Sequence, residues 1–198
     1  MDREKLKSRQ VILVTGAARS GKSEWGETLA RETGNQVVYV ATARIDEADP
    51  EWLARIAKHR SRRPPTWQTL TVQEALPATI ETGLPTHCLL VDSLGTWVAN
   101  LLSNDEDTWE KIVAQLLASL QTPGSDTILV AEETGWGVVP AYPAGRKFRD
   151  RLGMLVRRIG AIADPVYLVT GGRVLNLSLL GQPLSVTSYQ LPVTSYQL

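Results

Sequence analysis

The stretch Val11-Ile-Leu-Val-Thr-Gly-Ala-Ala-Arg-Ser-Gly-Lys-Ser23 joins a short apolar run to a loop of the pattern G-x-x-x-x-G-K-S. The two glycines let the backbone turn tightly, so that its N–H groups can reach the oxygens of a phosphate. Lys22 adds positive charge at the β- and γ-phosphates, and the Ser23 hydroxyl is a ligand for Mg²⁺. A helix that begins here points its positive end at the same anions. The stretch therefore predicts a phosphate-binding loop, or P-loop, for ATP or GTP.

Similar apolar runs recur downstream, as is typical of strands buried on both faces of a parallel sheet. The runs are Val11–Val14, Val37–Val40, Cys88–Val91, Ile128–Ala131 and Val166–Val169. Helical segments separate most of them, which predicts an α/β fold of the RecA-like P-loop NTPase type, with a mainly parallel sheet flanked by helices. Two glycines within Thr170–Arg173 predict a hairpin turn that adds Val174–Leu177 as an antiparallel C-terminal edge.

Helices are predicted over residues 22–33, from 50 to before the Pro64-Pro65 pair, from a cap at Asp107 or Thr108 to about 120, and over roughly 144–163. Gly34 can close the first helix in the left-handed conformation, and Asp49 can cap the second. The fourth helix carries a stripe of apolar side chains, formed by Phe148, Leu152, Leu155, Ile159 and Ile162.

The 198 residues suit one compact domain, which we place at 11–183 after a charged N-terminal extension, 1–10. Lysine plus arginine (21) equals aspartate plus glutamate (21), and this balance argues against a nucleic-acid partner and an electrostatic membrane anchor. The one cysteine, Cys88, excludes an internal disulfide, which fits a cytoplasmic protein. No apolar run approaches the ~18 residues of a membrane span, and the extension lacks the apolar stretch of a signal peptide.

The C-terminal end differs in character from the rest of the chain. Val186–Leu191 recurs as Val193–Leu198, and residues 184–198 carry no charge. We interpret them as a repeated, disordered tail without a catalytic role.

Acidic residues follow two of the predicted strands. Asp92 comes directly after the run His87–Val91, and an acid at the carboxyl end of a parallel strand faces the ligand crevice. In P-loop enzymes such an acid helps to hold Mg²⁺, but Asp92 could instead cap the following segment. Glu132 and Glu133 close the next strand, where either could orient a hydroxyl or a water, or cap a helix or turn.

Basic residues surround one of the two histidines. His59 lies near the end of the helix predicted from residue 50, and Arg55, Arg62 and Arg63 share or flank its face. Arginine forks match phosphate oxygens, and an imidazole among them can be a general base or a nucleophile. The same residues also suit a solvated basic helix end. His87, inside a strand-like run, is interpreted as structural.

In combination, these stretches resemble the bifunctional adenosylcobinamide kinase and adenosylcobinamide-phosphate guanylyltransferase family of cobalamin biosynthesis. The similarity covers about residues 11–170, and its stretches lie in the family's order. Its most specific elements are Arg55-Ile-x-x-His59 and Glu133-x-Gly-x-Gly-x-Val-Pro140. The other matching elements are Ile12–Ser23, Tyr39–Ala43, Arg63, Trp67, Leu90–Leu102 and Phe148–Asp150.

The resemblance implies two reactions with Mg²⁺. In the first, ATP or GTP phosphorylates the aminopropanol hydroxyl of adenosylcobinamide. In the second, GMP passes from GTP onto a histidine with release of pyrophosphate, and then onto adenosylcobinamide phosphate to give adenosylcobinamide-GDP. The family's guanylylated histidine matches His59. The family also implies a homo-oligomer.

The resemblance further implies the roles of individual residues. His59 and Lys22 would be catalytic, and Ser23 and Asp92 would be metal ligands. The implied nucleotide contacts are Gly16, Ala17, Ala18, Arg19, Ser20, Gly21, Lys22, Ser23, Ala41, Thr42, Ala43, Arg60, Ser61, Arg62, Arg63, Thr71 and Asp92. Where the family often has Gly, Asn and Glu, this chain has Ala17, Glu132 and Thr71, and Thr71 falls on a guanosine contact.

Two other hypotheses fit the P-loop. A kinase-only enzyme would use His59 to bind phosphate and would form no GDP-linked product. A RecA-like ATPase module would hydrolyse ATP in response to nucleic acid, and the neutral charge weighs against it.

Overall fold

The computed structural model describes residues 9–44 and 50–184. Within them, seven strands form one sheet in the order β3-β2-β4-β5-β1-β6-β7, with β6 and β7 antiparallel and the other neighbours parallel. The strands are β1 Val11–Gly16, β2 Gln36–Ala41, β3 Gln68–Thr71, β4 His87–Asp92, β5 Asp126–Glu132, β6 Val166–Thr170 and β7 Arg173–Asn176. The predicted α/β fold, the five apolar strands and the C-terminal edge hairpin are confirmed.

The hairpin turn has the predicted chemistry. Gly171 and Gly172 have φ values of 56° and 71°, so both central residues of the turn are left-handed. By contrast, β3 was not predicted. Its sequence, Gln-Thr-Leu-Thr, has no continuous apolar run, and such a run was the signal used to predict strands. An edge strand of the described sheet does not need one.

The helices are α1 Lys22–Glu32, α2 Pro50–Ser61, α3 Leu76–Glu81, α4 Leu94–Asn100, α5 Glu106–Gln121, α6 Pro143–Gly160 and α7 Leu177–Leu180. Gly34 has a φ of 71° just beyond α1, as predicted for its end. The predicted cap of α5 is wrong, because Asp105 caps it by accepting a hydrogen bond from the Thr108 N–H at 2.7 Å. The predicted cap of α2, Asp49, and the terminal segments 1–8 and 185–198 lie outside the described residues.

The core lies on both faces of the sheet, and β1 shows how successive residues divide between them. Val11 and Leu13 pack on one face with side chains of α3, α4, α5 and α6, whereas Ile12 and Val14 pack on the other with α1. The α6 stripe contributes Leu152, Leu155 and Ile159 to the core. Ile162 was predicted to belong to that stripe, but it lies beyond the end of α6 and is 37% exposed.

Within residues 9–44 and 50–184, none of the helices combines the length and hydropathy that crossing a bilayer requires.

Candidate active site

The P-loop connects the carboxyl end of β1 to the first turn of α1, as the sequence predicts. Gly21 has a φ of 97°, and a Cβ at Gly16 would collide with the Val169 carbonyl oxygen of β6. Both positions therefore require glycine, one for its conformation and one for the close approach of a neighbouring strand. Lys22 is buried, and its Nζ lies 3.4 Å from the Ala17 carbonyl oxygen. The Lys22 side chain thus folds back over the P-loop and places its positive charge there.

A cavity of about 370 Å³ opens at the carboxyl edge of the sheet, beside the P-loop. Among the described residues, the six parallel strands β1 to β6 end at this edge, so residues far apart in sequence meet in the cavity wall. The described residues that line it are Lys22, Ser23, Tyr39, Ala41, Ala43, Ile56, Arg60, Arg63, Thr69, Thr71, Asp92, Ser93, Thr96 and Glu132. The cavity therefore brings together the P-loop, the end of α2 and the carboxylate predicted on β4.

Asp92 faces this cavity from the end of β4. The Tyr39 hydroxyl of β2 donates a hydrogen bond to Asp92 Oδ2 at 2.7 Å. The alternative role of Asp92 as a helix cap is wrong, because Ser93 caps α4 in a capping box with Thr96. A half-buried carboxylate therefore stands within the same wall as Lys22 and Ser23.

Thr42 lies between two cavity-lining alanines but has a different environment. Its side chain is fully buried. Its hydroxyl donates to the Ser93 carbonyl at 2.6 Å and accepts from the Ser93 N–H at 3.0 Å. The structure thus uses the Thr42 side chain to join the ends of β2 and β4, while Ala41 and Ala43 face the cavity.

The two glutamates at the end of β5 have separate partners. Glu132 accepts from the Ser93 hydroxyl at 2.7 Å and from the Gly95 N–H at 3.0 Å, so it completes the N-terminal cap of α4 across the sheet edge. Glu133 accepts from the Thr15 hydroxyl on β1. Of the two interpretations left open by the sequence, capping is therefore confirmed for Glu132, which also lines the cavity.

The loop after β5 carries the Glu-x-Gly-x-Gly-x-Val-Pro element. Trp136, Val138, Val139 and Tyr142 are all more than half exposed there. On the α6 side, the Arg149 guanidinium donates to the Gly135 carbonyl at 3.0 Å. The element thus forms an apolar surface loop that starts at the cavity edge.

The helix α2 ends at Ser61, before Pro64-Pro65 as predicted. His59 belongs to its last turn by its backbone, and its side chain, like that of Arg55, lies outside what the structure describes. The next residue, Arg60, is exposed and lines the cavity, while Ser61 is exposed at the helix end. The turn that contains His59 therefore borders the cavity.

The two arginines after α2 attach it to different elements. Arg62 pairs with Glu24 at 2.9 Å and with the buried Glu27 at 3.3 Å, both on α1. The Arg63 guanidinium stacks over the Tyr39 ring at 3.2 Å from its centroid and lines the cavity. Of the predicted phosphate-binding arginines, Arg60 and Arg63 thus reach the cavity, whereas the charge of Arg62 is engaged between two helices.

The donor set for a cation is limited. Among the described residues, no group of three or more His, Cys, Asp or Glu side chains could hold a metal ion. Ser23 and Asp92 line the same cavity and offer hydroxyl and carboxylate oxygens, which suit Mg²⁺. Because Mg²⁺ keeps several waters and binds substrate phosphates, two protein ligands are enough for it. The residues present therefore fit the cation.

Sequence reasoning gave no role to Tyr39, which sits inside an apolar run. The available signal was the period of two along β2, because Tyr39 and Ala41 share one face of the strand and both line the cavity. Tyr39 pairs with Leu90 in the β2–β4 register, and Asp92 lies two residues further along the same face. A long aromatic side chain can reach such a diagonal neighbour, so the register explains the contact.

The chain is similar to known proteins over most of its length. Residues 12–177 match a family model described as CobU, cobinamide kinase / cobinamide phosphate guanyltransferase. The bifunctional adenosylcobalamin biosynthesis protein CobP of Pseudomonas aeruginosa is 41% identical over 177 residues, covering 87% of this chain and 98% of that protein. The CobU proteins of Salmonella typhimurium and Escherichia coli K12 are 37% and 36% identical, and each alignment covers 82% of this chain and 96% of the relative.

A solved structure from Pyrococcus horikoshii OT3 is also similar to this chain. Its TM-score is 0.51 at 9% identity, with 87% of this chain and 88% of that chain covered. This likeness concerns the fold alone.

Proposed function

Because the chain belongs to the CobU family of cobinamide kinases and cobinamide phosphate guanyltransferases, we propose that it acts twice on adenosylcobinamide in cobalamin biosynthesis. In the first reaction, the aminopropanol hydroxyl attacks the γ-phosphorus of ATP or GTP. The bond from that phosphorus to the β–γ bridging oxygen breaks, and the hydroxyl loses its proton. The products are adenosylcobinamide phosphate and the nucleoside diphosphate.

In the second reaction, a ring nitrogen of His59 attacks the α-phosphorus of GTP, and pyrophosphate leaves. An oxygen of adenosylcobinamide phosphate then attacks the same phosphorus. The phosphorus–nitrogen bond breaks, which frees His59 and yields adenosylcobinamide-GDP. A histidine intermediate divides one difficult transfer into two easier ones.

The observation that carries this proposal is the shared wall of the cavity. Lys22 and Ser23 of the P-loop line it together with Arg60, the neighbour of His59 in the last turn of α2. Its volume of about 370 Å³ lies within the range of small-molecule sites, ~300–1,000 Å³. A nucleotide held by the P-loop would therefore lie beside the helix that carries the proposed nucleophile.

The remaining residues of the wall would bind and orient the nucleotide. In our proposal the backbone N–H groups of Gly16–Ser23 and the Lys22 ammonium hold the phosphates. Arg60 and Arg63 neutralise charge on the transferred group. The segment Ala41–Ala43 contacts the nucleotide, as do Ser61 at the end of α2 and Thr71 at the end of β3.

Mg²⁺ would be held by Ser23 and Asp92. When bound, the cation supplies neutralisation of phosphate charge and alignment of the phosphate oxygens. The chain's own contribution is then to present two oxygen ligands in the wall of one cavity.

Labelling with GTP that carries radioactive phosphorus at the α position tests the guanylyl transfer. We expect covalent label on the wild type and none on His59→Ala. The matched control is His87→Ala, which removes the other histidine, on β4, and should keep the label. Label that persists in His59→Ala, or no label on the wild type, would contradict the proposed intermediate.

The kinase half is tested with Lys22→Ala and adenosylcobinamide as the acceptor. Phosphorylated product should disappear in this variant and persist in Lys111→Ala, which removes an exposed lysine of α5. If the wild type formed adenosylcobinamide phosphate but never a GDP-linked product, the kinase-only alternative would replace our proposal.

We further propose a cytoplasmic homo-oligomer without a nucleic-acid partner, formed by one domain over residues 11–183. These statements rest on composition and on the family, and they stay predictions.

A further inference from the structure

Tyr39 is the one phenol that lines the cavity among the described residues, and it is almost entirely enclosed by protein. It lies on β2 with an exposed fraction of 2%. Its hydroxyl donates to Asp92 Oδ2 at 2.7 Å. Burial, and then the negative charge of Asp92, raise the pKa of Tyr39 above its ordinary value. The geometry therefore makes the phenol a hydrogen-bond donor to a carboxylate in the cavity wall.

The ring of Tyr39 is fixed independently of its hydroxyl. The Arg63 guanidinium stacks on it at 3.2 Å from the centroid, a cation–π contact. The backbone of Tyr39 is held in the sheet between β3 and β4, where it pairs with Thr69 and Leu90. The direction in which the hydroxyl points is thus set from both the strand and the loop after α2.

A neutral hydrogen-bond donor can orient a carboxylate that binds a cation without adding a positive charge beside it. An arginine or lysine beside Asp92 Oδ2 would fix the carboxylate but cancel its charge. A phenol fixes the same oxygen and brings no charge of its own. The carboxylate loses rotational freedom before the cation arrives, so less ordering is left for the binding step.

We propose that Tyr39 is a positioning residue that holds the Asp92 carboxylate in the orientation required for Mg²⁺–nucleotide binding. The inference rests on the proposed role of Asp92 as a metal ligand. Tyr39 acts through Asp92 and has no chemical step of its own.

The test is the Mg²⁺ dependence of GTP binding, measured by isothermal titration calorimetry without an acceptor. Tyr39→Phe keeps the ring and its stacking with Arg63 but removes the hydroxyl. The Mg²⁺ concentration for half-maximal binding should rise roughly threefold to tenfold, as expected for the loss of one hydrogen bond. Binding of GTP without Mg²⁺ should stay unchanged, which a general disturbance of the fold would not allow.

The matched control is Tyr167→Phe, the same change on β6, where the ring packs edge-on against Trp25. It should leave the Mg²⁺ dependence at the wild-type value. Thermal denaturation of each variant verifies that it is folded.

The variant Asp92→Asn and the double variant Tyr39→Phe/Asp92→Asn separate the metal role of Asp92 from the positioning role of Tyr39. If Asp92→Asn leaves the Mg²⁺ dependence unchanged, the proposed metal role of Asp92 fails. If Asp92→Asn shifts it and Tyr39→Phe does not, the positioning role alone is overturned. The expected result is that Tyr39→Phe adds no further shift in the Asp92→Asn background, and a full additional shift there would also overturn it.

Discussion

Replacement of Arg151 by methionine tests what holds the connection between α4 and α5 in place. Arg151 lies on α6 with an exposed fraction of 2%. Its guanidinium pairs with Glu106 at 3.0 Å and stacks over the Trp109 ring at 4.9 Å from the centroid. It also donates to four carbonyl oxygens between the two helices, those of Leu101, Leu102, Asn104 and Asp105. One side chain thus organises a whole connection.

The expected cost follows from burial. Removing the donor of a buried hydrogen bond costs ~1–3 kcal/mol of unfolding free energy because the acceptor is left unsatisfied, so taking the guanidinium away from several carbonyl oxygens should cost ~3–5 kcal/mol in all. The Glu106 side chain is by contrast 62% exposed, and exposed ion pairs contribute only ~0–1 kcal/mol. Since each 1 kcal/mol lowers the melting temperature of a protein of this size by ~2–4 °C, Arg151→Met should melt roughly 6–20 °C below the wild type.

Urea denaturation followed by circular dichroism measures both costs. The matched control is Glu106→Gln, which removes the charge of the exposed partner and leaves the guanidinium on its carbonyl acceptors. We expect a large loss for Arg151→Met and a loss below ~1 kcal/mol for Glu106→Gln. Equal losses for the two variants, or a loss below ~1 kcal/mol for Arg151→Met, would refute the reasoning from burial.

Alanine at the helical sites Gly26 and Gly153 should change the unfolding free energy in opposite directions. A Cβ at Gly26 would lie 3.1 Å from a side chain of β5, whereas one at Gly153 meets nothing within 4 Å; the first should lose ~1–2 kcal/mol in urea and the second gain ~0.5–1, and equal gains would contradict the tight packing of α1. Burial raises the pKa of Cys88 to about 12, so the folded state keeps a proton that the unfolded chain loses. The stability of the wild type relative to Cys88→Ala should therefore fall by ~1.4 kcal/mol per pH unit above pH ~9, and a constant difference would refute this. Arg62→Gln should lower GTP labelling ~threefold to tenfold, because its ion pair with Glu27 holds α2 on α1. Glu27→Gln should match it, and an unaffected Glu27→Gln would mean that Arg62 acts on the nucleotide directly.

The strands of the sheet interior could be predicted because burial on both faces leaves a continuous apolar run. The same rule does not detect β3, because its residues apart from Leu70 are polar and, within the described ranges, its outer edge pairs with no strand. The prediction of the N-terminal cap of α5 failed for another reason. Asp105, Asp107 and Thr108 can all cap a helix, and only the three-dimensional position of the chain selects the first.

The site could be predicted where its residues follow from the order of strands. Asp92 ends β4, and Lys22 and Ser23 begin the helix that follows the P-loop; such positions meet at the carboxyl edge of a parallel sheet. The contacts of Tyr39 and Glu132 depend on register and on the start of α4, which the sequence does not state. The same holds for Arg62, whose partners on α1 are brought near by tertiary packing.

The position of β1 in the sheet has a consequence for how the protein is made. The strand leaves the ribosome before its two neighbours in the sheet, β5 and β6, and Val11 lies opposite Thr127. By contrast, β2, β3 and β4 are contiguous in sequence and can pair among themselves once Asp92 has been synthesised. Pairings so distant in sequence are slow to form. During translation, β1 therefore stays an unpaired apolar segment until β5 emerges. The P-loop that follows β1 can reach its folded, phosphate-binding position only after that pairing has formed.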